Sequence, residues 1–159
     1  KIIRFASALA IACVMAFALT ACFSTAQEDD TAQKNRQCLS TLNSEISQIK
    51  VVMEDFETAA ANKNVVAMKS QLDKSQEIID RVNAMEATDD LKSVKDKYAE
   101  ALSTLNSAMG AYVDLFEREQ NGNMSPDAVQ QAVAGVQADY DKGVSLLKEA
   151  DDAVSKMAG

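Results

Sequence analysis

Histidine and tryptophan are absent from the 159 residues, proline occurs once and glycine five times. Without histidine there is no His-ligated haem, no carboxylate-plus-histidine di-iron site and no Ser-His-Asp triad. Three tyrosines and five phenylalanines offer no evident aromatic platform for sugars or bases. Gly110, Gly135 and Gly143 stand alone in apolar-periodic stretches and build no phosphate-cradling loop, so they read as points of close packing or bending. Basic residues are also scarce, 16 against 24 acidic. Such a balance disfavours nucleic acid and anionic headgroups as ligands.

Only one long apolar run is present, and it lies at the start. Lys1 and Arg4 precede an apolar stretch from Phe5 to Leu19, and small residues then lead to Leu19-Thr20-Ala21-Cys22. A charged start, a short apolar centre and a small-residue cleavage point are the three parts of a secretory signal. About 20 apolar residues also suffice for a transmembrane helix. The many alanines, Ser7, Thr20 and the terminal cysteine argue for the signal instead. The chain begins at Lys1 without methionine, so an initiator residue is expected to have preceded it.

Leu19, Thr20, Ala21 and Cys22 resemble the lipidation site of the bacterial lipoprotein class. The resemblance covers residues 1–22 alone and points to no narrower family. It implies cleavage before Cys22, a diacylglycerol on its thiol, and an N-acyl chain left open. Two or three acyl chains give stable anchoring. No other cofactor is expected. Phe23 follows Cys22 where an aspartate would oppose outer-membrane sorting. The implied location is the cell envelope: the outer membrane of a two-membrane host, or otherwise the outer face of the cell membrane.

Three cysteines do not form a disulfide framework. Cys13 leaves with residues 1–21 and Cys22 becomes a thioether, so Cys38 remains. An unpaired thiol outside the cytoplasm is open to pairing between chains. Its position beside Leu39 favours a small apolar residue near the core. Taking Lys1 and Arg4 from the 16 basic residues leaves 14 against 24 acidic, a formal charge of −10 for residues 22–159. Residues 23–30 are polar, lack apolar periodicity and read as a tether. At up to about 3.5 Å per residue they hold the domain within roughly 30 Å of the membrane.

Residues 31–159 read as an all-α, antiparallel up-down-up-down four-helix bundle. Leu39, Leu42, Ile46, Ile49, Met53, Phe56 and Ala60 recur at alternating spacings of three and four. Similar seams run through Val65–Val82, Leu91–Phe116 and Val129–Val154, with Ser75 interrupting the second. Predicted helices cover 31–61, 65–86, 89–121 and 126–157. Gly122 followed by Ser125-Pro126-Asp127 is a strong stop and start signal, and Thr88-Asp89-Asp90 is a predicted cap. Asn62-Lys63-Asn64 is read as a turn, the alternative being one helix through 31–87.

The third predicted helix exceeds the second by about ten residues, or roughly 15 Å. If both start at one turn, the hairpin joining helices three and four protrudes away from the membrane. Leu115, Phe116, Met124 and Val129 then form a candidate protein-contact tip with few helices to cover them. Off-centre packing of the first two helices is the alternative and would bury them.

The remaining candidates for chemistry have simpler structural readings. Glu54-Asp55-Phe56-Glu57, Asp139 with Asp141, and Asp151-Asp152 fall off the apolar seam and read as solvated faces. Glu117-x-Glu119-x-Asn121-Gly122-Asn123 echoes a calcium loop, but Ala128 stands where a bidentate acid is needed. The scattered methionines read as core filler. No metal site and no catalytic residue is assigned. The expected function is a non-enzymatic module contacting an envelope protein. The alternative is a small-ligand-binding bundle, with room provided by Ser75, Ala101, Ala108 and Gly143.

Overall fold

The computed structural model describes residues 30–157. Four helices follow one another: α1 (Asp30–Ala61), α2 (Val65–Ala84), α3 (Asp89–Gln120) and α4 (Pro126–Met157). They pack as a four-helix bundle with no strand among the described residues. The predicted signal segment and the predicted tether lie outside the described residues, except that Asp30, expected at the tether's end, is helical.

Two breaks share one mechanism. At 62–64 the helix ends with Lys63 at φ 55°, and Gly122 has φ 68° after α3. Asn64 N donates to Ala59 O at 2.9 Å and Lys63 N to Ala60 O at 3.0 Å. Asn123 N to Arg118 O at 3.1 Å and Gly122 N to Glu119 O at 2.9 Å repeat the pattern. Both are Schellman motifs, which satisfy helix-end carbonyls through a left-handed residue. Asn64 then starts α2 by accepting from Ala67 N at 3.0 Å, and Ser125 Oγ accepts from Ala128 N at 3.3 Å. Residues 62–64 therefore form a turn.

The third break differs. Thr88 does not cap α3 with its side chain; its hydroxyl donates to Asn35 Oδ1 of α1. Residues 85–88 have no helical structure, and Met85 is extended with ψ 134°. Lys95 Nζ donates to Asn83 O and Met85 O, each at 3.3 Å, satisfying carbonyls where α2 ends.

This segment corrects the expected overhang. α2 has 20 residues and α3 has 32, a difference of about 18 Å at 1.5 Å per residue. Lys69, one turn into α2, meets Glu117, one turn before the end of α3, at 2.7 Å. Asn106 Nδ2 donates to Gln76 Oε1 at 3.2 Å farther along. The start of α2 is thus nearly level with the end of α3. Its shortfall lies at the other end, where the non-helical residues 85–88, extended at Met85 and Thr88, join α2 to α3.

The core follows the predicted seams. Leu42, Met53, Phe56, Met68, Leu91, Leu102, Leu105 and Leu147 are among its most buried side chains. α3 packs against all three other helices, while no Cα of α4 comes within 8 Å of α1 or α2. The bundle is skewed, and side chains of α1 and α4 (Met53, Phe56, Val136 and Tyr140) line a common cleft. Phe56 meets Tyr112 edge-on with ring centroids 5.9 Å apart, and Tyr112 stacks on Phe116 at 6.4 Å.

Candidate functional site

Three regions can be weighed as sites: the hairpin end, the interior and the outer grooves. At the hairpin end, Leu115, Phe116 and Val129 are buried and Met124 is half-buried. The expected uncovered apolar tip is therefore closed. Near-level hairpins and the stacking of Phe116 on Tyr112 remove the exposure inferred from helix lengths. Val66, 80% exposed at the start of α2, is the large apolar side chain presented near this end.

Small seam residues do not open a chamber. A Cβ on Gly143 would lie 2.7 Å from Leu105 Cγ and Cδ2 and 3.2 Å from Leu105 N, so Leu105 fills that position. Ser75, Ala101 and Ala108 are buried in close contact with the core. Among Met53, Phe56, Met109, Tyr112, Val136 and Tyr140 a cleft of about 10 Å³ remains. This is the lower limit for one water.

Two carboxylates depart from the expected solvated faces. Tyr98, 3% exposed, donates its hydroxyl to Asp151 Oδ1 at 2.6 Å. Desolvation, followed by the hydrogen bond to Asp151 and its charge, pushes the phenol up. Desolvation also raises the Asp151 carboxyl, opposed by the Tyr98 bond and assisted by Asp152. Glu57 is raised by desolvation and then by Glu54, and its Oε1 is buried without a hydrogen-bond partner. Asp151 escaped the sequence reading because its partner is 53 positions away. The available signal was its place next to core residue Ala150, opposite a tyrosine that needs an acceptor when buried.

Cys38 is buried, and burial pushes its thiol up against the opposing charge of Lys95. It occupies the apolar position expected beside the seam. The calcium-like stretch is used otherwise: Glu117 pairs with Lys69, and Asn121 caps α3. No group of three or more His, Cys, Asp or Glu residues suited to a metal occurs among the described residues.

The most developed outer surface is the groove between α1 and α2. Arg81 Nε donates to both oxygens of buried Glu45 at 3.1 Å. Its Nη2 donates to Glu45 Oε2 at 2.7 Å and Gln48 Oε1 at 3.1 Å. This fork raises the arginine further, the Glu45 hydrogen bond contributing most. Beside it, Val51, Asp55, Gln71, Lys74 and Glu77 border about 310 Å³ of free space. Heptad reading located the helices, but not which charged residues would meet across them.

No family model, curated protein or solved structure matches the chain. No helix among the described residues is long and apolar enough to cross a membrane. Cys22, the proposed lipid-bearing residue, lies outside the described residues.

Proposed function

We propose that this chain is a lipid-anchored, non-enzymatic helical module that works by protein–protein contact in the cell envelope. Acyl chains on Cys22 tether it, and its partner is an envelope protein. The supporting structural observation is the close-packed core, in which the cleft beside Phe56, Tyr112 and Tyr140 holds about 10 Å³.

The short tether orients the domain. With Cys22 anchored, α1 starting at Asp30 would set the α2–α3 connection and the end of α4 toward the membrane. Turns 62–64 and 121–125 face away from it. Crosslinking and co-purification of the lipidated protein from native membranes tests the reading. A reproducible envelope partner is expected; recovery of the monomer alone overturns it.

A further inference from the structure

The turn between α3 and α4 holds the one asparagine of this sequence that precedes a glycine, Asn121-Gly122. An asparagine side chain is open to attack from within the chain. The backbone nitrogen of the following residue reaches the side-chain carbonyl carbon and closes a five-membered ring. A side chain on that following residue hinders the approach, and glycine has none. Asn121 and Gly122 are both exposed. Among the described residues the Asn121 side-chain amide has no hydrogen-bond partner. The other asparagines are placed differently. Asn62 Nδ2 donates to Thr58 O at 2.9 Å, and Asn64 Oδ1 accepts from Ala67 N at 3.0 Å and precedes the branched Val65. Asn35, Asn43, Asn83 and Asn106 lie within helices, where the following N–H is tied into the ladder of hydrogen bonds. Asn123 precedes Met124.

The native turn restrains this reaction without preventing it. Asn121 has ψ 1°, which sets Gly122 N beside the Asn121 backbone nitrogen and away from Cγ. Gly122 N donates to Glu119 O at 2.9 Å, and Asn123 N donates to Arg118 O at 3.1 Å. Ring closure requires both bonds to open and the Cα–C bond of Asn121 to rotate. Exposed helix ends open at little cost, and glycine accepts the new backbone angles.

We propose that Asn121 is a site of spontaneous covalent modification, with water as co-reactant and the closed α3–α4 turn setting the rate. Hydroxide takes the Gly122 amide proton, and the nitrogen attacks Asn121 Cγ. The N–Cγ bond forms, the Cγ–Nδ2 bond breaks, and ammonia leaves with a proton from water, giving a succinimide. Water then opens the ring, at Cγ to give aspartate or at the backbone carbonyl to give isoaspartate. Aspartate adds a negative charge after Glu117 and Glu119, at the end of α3 where the helix dipole is negative. Isoaspartate adds a main-chain carbon inside the turn. Both products loosen it. The inference stands apart from the contact function.

The test is peptide mapping by mass spectrometry of the full chain aged in detergent micelles near neutral pH, with a urea-unfolded sample in parallel. Conversion of Asn121 to aspartate and isoaspartate is expected ahead of every other asparagine. The two hydrogen bonds of the turn should slow it roughly ten- to hundredfold relative to the unfolded chain. Raising the pH by about one unit should accelerate it about tenfold, because the reacting nitrogen must lose its proton. Asn121→Gln, whose longer side chain closes the ring far less readily, should lose the modification. In Asn121→Asp, hydrogen exchange at the Gly122 and Asn123 amides should be about threefold faster than in the native chain. Conversion led by another asparagine, equal rates in folded and unfolded chains, or a rate insensitive to pH overturns the proposal. So does an intact Asn121 after about a hundred times the unfolded half-life.

Discussion

Tyr98 and Asp151 show how a buried tyrosine draws a carboxylate out of the solvated surface. The 2.6 Å bond satisfies the phenol, while desolvation keeps the Asp151 carboxyl above its ordinary range. The unfolded chain therefore ionises first as pH rises. The stabilising contribution is complete below the ordinary aspartate value and is lost as pH rises through the raised folded value. Glu57 has the same sign. Melting temperature is accordingly expected to rise as pH falls through the raised folded values toward the ordinary carboxylate range of about 4. Asp151→Asn retains an acceptor for Tyr98 without the charge. It should match or slightly exceed the native stability at pH 7 and flatten the pH dependence, the effect remaining below about 1 kcal/mol because the site is partly exposed. Tyr98→Phe should lower stability by about 1 kcal/mol. Urea denaturation across pH checks both; a marked loss in Asp151→Asn would show that the negative charge itself stabilises the fold.

At the scale of helices, seam spacing exposed the core because burial repeats with the helical period. Leu42, Ile46, Ile49, Met53 and Phe56 are all buried. Turns 62–64 and 121–125 were legible because asparagine, glycine, serine and proline have local backbone preferences. The stagger of α2 against α3 was not, since residues 85–88 span distance without a periodic signal. For the candidate site, the composition gave its charge, but the meeting of Arg81 with Glu45 depends on helix rotation and register. Glycine substitutions test the α3–α4 packing directly. Gly143→Ala places a methyl against Leu105 and should destabilise the bundle by about 1–3 kcal/mol. Gly110→Ala and Gly135→Ala meet nothing within 4 Å and should each stabilise it by about 0.5–1 kcal/mol through helix propensity. Urea midpoints of the three variants report the difference; equal effects would rule out the close approach at Gly143.

At the scale of the whole molecule, an acidic helical body is combined with a proposed acyl anchor and a leash of a few residues. Its core is closely packed, and its α1–α2 face carries an open groove of about 310 Å³. Anchoring would keep that face close to envelope partners and make encounter effectively intramolecular at the membrane. The proposed function thus depends on Cys22 more than on any described residue. Intact mass spectrometry of the protein extracted from native membranes tests that dependence. A chain beginning at Cys22 and carrying diacylglycerol is expected, with an additional acyl mass if the amine is modified. A chain retaining residues 1–21, or one beginning at Cys22 without lipid, would contradict the anchored module.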